Sequence, residues 1–83
     1  MNLTDLQPGA ILPNGAKVDA YFVTSNGDGV ILAYTHDNEV ATWNFYRGDL
    51  RSTSNGHYFT IDAEGEGYEE AEADMLQRIG RLL

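Results

Sequence analysis

The chain has 83 residues, with 13 acidic against 5 basic side chains and a formal net charge of −8. That length makes one domain rather than two, and it buries only about 60–65% of the surface its unfolded form exposes. The absence of cysteine excludes a disulfide framework, a thiolate zinc site and a cysteine nucleophile and fits a reducing cytoplasm, while the charge disfavours direct binding to nucleic acid or an anionic membrane, since no basic stripe is present to displace counterions.

The opening Met1-Asn2-Leu3-Thr4-Asp5 carries no basic region and no long apolar run, so neither a signal peptide nor a membrane span is expected. Ala10-Ile11-Leu12 is a first short strand-forming run, and Pro13-Asn14-Gly15 leads it into a second from Lys17 to Thr24. Within that second run Val18, Ala20 and Phe22 fall on one face and Lys17, Asp19, Tyr21 and Val23 on the other. Ser25 to Gly29 turns the chain. Val30 to Thr35 is apolar on both faces and reads as a buried strand, and His36-Asp37-Asn38-Glu39 is a polar turn. Val40 to Arg47 alternates again, with Ala41, Trp43 and Phe45 opposite Val40, Thr42, Asn44 and Tyr46. A loop from Gly48 to Gly56 precedes a last short strand, His57 to Ile61. Asn14-Gly15, Asn26-Gly27 and Asn55-Gly56 supply the positive φ that tight turns require. Thr-Ser-Asn-Gly, at 24–27 and again at 53–56, is repeated turn chemistry rather than a duplicated domain.

After Ile61 the period changes. Tyr68, Ala71, Met75, Leu76, Ile79, Leu82 and Leu83 share one face of an α-helix. Acids fill its first turns and Arg78 and Arg81 its last, which suits the helix dipole. Asp74 and Arg78 pair four residues apart. Gly65 and Gly67 blur the start, and Gly80 weakens the last turn. The expected fold is α+β: an antiparallel meander of four or five strands with one C-terminal helix packed across one face.

The charge is unevenly placed. Residues 62–83 hold seven acids against Arg78 and Arg81, whereas residues 1–61 hold six against Lys17, Arg47 and Arg51. The run Asp62, Glu64, Glu66, Glu69, Glu70, Glu72 and Asp74 reads as a surface that docks on a basic protein or stands in for nucleic-acid phosphates. Its plainer alternative is a solvated helix face. Glu66, Glu69, Glu70 and Asp74 are the candidate partner-binding residues of the helix. Tyr46 and Arg47 join them from the run Trp43-Asn44-Phe45-Tyr46-Arg47, because aromatics and arginine favour interface centres. Trp43 and Phe45 themselves read as core. In Gly56-His57-Tyr58-Phe59 the strand gives Phe59 to the core; the alternative leaves His57 and Tyr58 beside Arg51 at a recognition edge.

No constellation for catalysis stands out. Nucleophile-elbow, phosphate-loop and paired-histidine patterns are all lacking. His36 and His57, with Asp37, Glu39 or Asp62, lack metal-ligand spacing. A calcium loop around Asn26-Gly27-Asp28-Gly29 fails because Thr24 and Thr35 stand where acids are needed. No catalytic residue, metal or cofactor is expected, and the chain reads as a non-enzyme.

Gly29-Val30-Ile31-Leu32-Ala33-Tyr34, Ala41-Thr42-Trp43, Gly56-His57-Tyr58-Phe59 and the helix residues Ala71, Asp74, Met75 and Arg78 together resemble small proteins of phages and mobile elements. In size and charge the chain is similar to anti-CRISPR inhibitors, a group too diverse in sequence for any site residue to be carried over. The resemblance implies a stoichiometric inhibitor, acting in the host cytoplasm on a nuclease or RNA-guided defence complex through its basic nucleic-acid-binding site. The alternative is a small structural or accessory subunit, a monomer or weak homodimer, that self-associates through a sheet edge or through exposed Tyr46 and Tyr58.

Overall fold

Runs of β-branched and aromatic residues separated by Asn, Asp and Gly favour hairpins over crossovers. The computed structural model, which describes residues 1–83, pairs them accordingly. β1 (Lys17–Val23), β2 (Gly29–His36), β3 (Glu39–Phe45) and β4 (Ser54–Thr60) form an antiparallel meander in the spatial order β1-β2-β3-β4, and α1 (Glu66–Leu82) follows. Between β1 and β2, Gly27 takes φ 89° and the Thr24 amide donates to the Asp28 carbonyl at 2.8 Å. Asp37-Asn38 joins β2 to β3 directly, with His36 paired to Glu39.

Three strand expectations need correction. Ala10-Ile11-Leu12 forms a single bridge, Ile11 to Lys17, because Leu12 turns inward to the core. In β1 the ladder slips between Val18 and Ala20, so Asp19 is a bulge and the alternation inverts there. Val18 therefore packs on the side away from α1, while Ala20 and Phe22 pack beneath it. β4 begins at Ser54 rather than His57. Asn55, with φ 56°, is absorbed in a register shift opposite β3 instead of ending a loop. Gly56 then passes under Trp43, where a Cβ would lie 2.6 Å from the indole nitrogen.

Both faces of the sheet are covered. On one, Val18, Ile31, Ala33, Ala41, Trp43 and Phe45 pack against Leu6, Leu12, Ala16 and Leu50. On the other, Val30, Leu32, Val40 and Phe59 meet Tyr68, Ala71, Met75, Ile79 and Leu82 of α1. Each aliphatic side chain buried in this way stabilises the fold by about 1.5–3 kcal/mol. Trp43 and Phe45 are core residues, and the N-terminal chain forms a third layer.

α1 starts close against the end of β4. Gly67 makes this approach feasible, since a Cβ there would stand 1.9 Å from the Thr60 carbonyl oxygen. Asp62 Oδ1 accepts the Glu64 and Glu66 amides at 3.0 and 2.9 Å and so fixes the entry to the helix. The buried stripe runs through Tyr68, Ala71, Met75, Arg78 and Leu82, in steps of three and four. Leu76 and Leu83, expected on that stripe, are 69% and 86% exposed. Position 78 lies nearer the stripe's centre than either leucine, so the arginine is buried in their place.

Candidate functional site

β3 turns Thr42 and Asn44 toward α1, where both are buried and need hydrogen-bond partners. Asp74 and Arg78, one helical turn apart, supply them. Arg78 is only 3% exposed; its Nε donates to Asp74 Oδ2 at 2.9 Å, its Nη1 to Asn44 Oδ1 and its Nη2 to the Asn55 carbonyl. Thr42 Oγ1 donates to Asp74 Oδ2, and His57 Nδ1 lies 3.0 Å from Asp74 Oδ1. No buried side-chain nitrogen or oxygen is left without a partner. This polar clasp ties β3, β4 and α1 together at one place. Burial acts to raise the Asp74 carboxyl, but the hydrogen bonds from Thr42, Arg78 and His57, with the Arg78 charge, bring it down to about 2. The ionised Asp74 carboxylate accepts from His57 Nδ1, and Nε2 of the ring has no protein partner.

At the other end of α1, Tyr68 stacks on Tyr34 with ring centroids 6.3 Å apart and donates its hydroxyl to the Asp19 carboxylate. That hydrogen bond, then burial, then the Asp19 charge, raises the Tyr68 pKa. The β1 bulge thus has a structural use, since it turns Asp19 toward the helix.

The six residues singled out in the sequence do not form one patch. Glu66, Glu69 and Glu70 are exposed on the outer side of α1, together with Glu64 just before it and Glu72 within it. No Lys, Arg or His pairs with any of these five; the contacts that Arg78 and His57 make to a carboxylate both end on Asp74. Asp74 itself points inward and belongs to the clasp. Tyr46, 45% exposed, follows β3 and lines a cleft with Arg81 and Leu82 at the far end of α1. Glu66 and Arg81 are 15 residues apart in the helix, about 22 Å along its axis. Arg47 sits in the next turn with φ 53°, and its amide donates to Asp28 Oδ1 at 3.0 Å.

His57 is expected only in the alternative reading of a recognition edge, and Thr42, Asn44 and Arg78 in no site, yet two signals mark these three. Thr42 and Asn44 are polar on an inward parity of β3, and residue 78 continues the steps 71 and 75. Tyr58, 59% exposed, packs edge-on against Trp43 with centroids 5.9 Å apart, and takes no part in the clasp. No three His, Asp or Glu side chains gather as a metal site would require.

Five hollows mark the surface. The largest, about 520 Å³, adjoins the start of β1 and sets Lys17 against Asp19 and Asp37, so its charges oppose one another. Another, about 390 Å³, opens beside the clasp. Fold and surface together define a small α+β protein with a ridge of unpaired glutamates outside its helix and a polar clasp beneath it. No protein-family model, curated protein or solved structure matches the chain. No helix is long and apolar enough to cross a membrane.

Proposed function

We propose that this chain is a non-enzymatic binding protein that docks the glutamate ridge of α1 on the basic, nucleic-acid-binding surface of another protein. The reading is that of an inhibitor from a phage or mobile element, anti-CRISPR-like, acting on a defence complex or nuclease in the host cytoplasm. The observation that carries it is the state of Glu64, Glu66, Glu69, Glu70 and Glu72: all exposed, and none paired with a cation. A field of one sign steers a basic partner to its site and weakens as salt rises. Leu76, exposed one turn beyond Glu72, adds an apolar contact to the same side. Asp74, spent inside the fold, is not part of this surface.

The test is capture from a host lysate at low and high salt, followed by titration of the captured protein. Reversing Glu66, Glu69 and Glu70 to lysine should weaken binding at least tenfold and leave the circular dichroism spectrum unchanged. Affinity that survives the triple reversal removes this mechanism.

A second reading, self-association, is favoured by β4. The N-terminal chain covers part of the outer edge of β1, with Gly9 donating to the Val18 carbonyl and Val18 to the Ala10 carbonyl, both at 2.8 Å. No backbone pairs with the outer edge of β4, and no Lys, Arg, Asp, Glu or Pro blunts it.

A further inference from the structure

We infer that the cleft between the start of β4 and the C-terminal end of α1 binds a phosphate group. Asn44, Asn55, His57, Arg78 and Arg81 line it, with Tyr46 and Leu82 at its sides. No carboxylate is among its lining residues, although the chain has 13 acids. What the cleft offers is mostly hydrogen-bond donors. Arg78 spends three N–H groups on Asp74, Asn44 and Asn55, and a guanidinium has five. Asn44 accepts through Oδ1, which leaves its amide N–H₂ without a protein partner, and Asn44 is 9% exposed. Arg81 and Tyr46, both exposed, also line the cleft and carry further donor groups.

Three elements meet here, and the clasp holds Asn44 of β3, His57 of β4 and Arg78 of α1 in place before any ligand arrives. An oxyanion with several acceptor oxygens matches donors that converge from different directions, and guanidinium groups recognise phosphate through paired hydrogen bonds. The glutamate ridge does not prevent this. Glu72, the ridge member nearest the cleft, and Arg81 are nine residues apart in α1, about 13 Å along the axis, or more than one and a half screening lengths at physiological salt. The Asp74 charge is matched by Arg78. The partial negative charge of the helix C-terminus opposes an anion, and Arg81 in the last turn offsets it. A volume of about 390 Å³ exceeds what a bare phosphate fills, and the Tyr46 ring and Leu82 give an organic body something to rest on. This site is independent of the ridge and of any partner bound there.

The test is a titration followed by NMR at constant ionic strength, with inorganic phosphate in one arm and phenyl phosphate in the other. Saturable shifts centred on Asn44, Asn55, His57 and Arg81 are expected. Arg81→Gln should weaken binding about tenfold. Lys17→Gln, which removes the same charge at the start of β1, should leave binding unchanged. Tighter binding of phenyl phosphate identifies a phosphate ester as the ligand class; tighter binding of inorganic phosphate identifies the free anion. Shifts that never saturate in either arm, or equal losses in the two variants, overturn the site.

Discussion

Asp74 is bound by Thr42, His57 and Arg78 at once, and its acidity records how strongly the fold prefers it ionised. In the unfolded chain the carboxyl protonates around its ordinary 3.8, but in the fold only around about 2. As pH falls below about 4 the unfolded state takes up this proton first, so stability drops until the folded carboxyl also protonates near 2. Above pH 4 the contribution is fully present. Urea denaturation between pH 5 and pH 2 should therefore show a fall in midpoint that shrinks in Asp74→Asn and persists in Glu69→Gln; an unchanged fall in Asp74→Asn rejects this origin. The i, i+4 spacing of Asp74 and Arg78 was legible in the sequence, and their depth was not. A polar pair at that spacing usually lies on a helix surface, and only the inward Thr42 and Asn44 of β3 draw it beneath the helix.

At the level of elements, two helix glycines should respond in opposite ways. Gly67 faces the Thr60 carbonyl at a distance that a methyl group cannot share, so Gly67→Ala should destabilise the protein by about 1–3 kcal/mol. Gly80 has nothing within 4 Å of its would-be Cβ. Gly80→Ala should stabilise by about 0.5–1 kcal/mol, as expected for an unhindered helical site. Urea midpoints of the two variants check both signs, and a stabilising Gly67→Ala would refute the close-packing account. The sequence alone showed both glycines as blemishes in a helix pattern. Their difference comes from tertiary contact, which one strand end supplies. The same holds for β1 and β4, whose existence followed from residue type. The Asp19 bulge and the early start of β4 at Ser54 arise from contacts with α1 and Trp43 that a period-two pattern does not encode.

Across the whole molecule the alternation of turns and strands made the meander and its covering helix readable, since each hairpin is local. The layer formed by Leu6, Leu12, Ala16 and Leu50 was not readable, because these residues are scattered and carry no period. Of the candidate surface, the glutamates were visible as a run, whereas the clasp and the cleft are assembled from residues far apart in the chain. The net charge of −8 and the uncovered β4 edge pull in opposite directions. Repulsion between copies should keep the protein monomeric at low salt, and edge pairing should appear as screening rises. Light scattering over a dilution series at two salt concentrations measures this balance; a monomer under all conditions rejects pairing through β4. The position of Trp43, the sole indole, carries a practical consequence, because the side chain is buried on the sheet face opposite α1. Its emission monitors the N-terminal wrapping directly and the helix only through the sheet between them. A fluorescence melt and a helical melt thus watch opposite sides of the same sheet, and any gap between the two curves would measure how independently the sides let go.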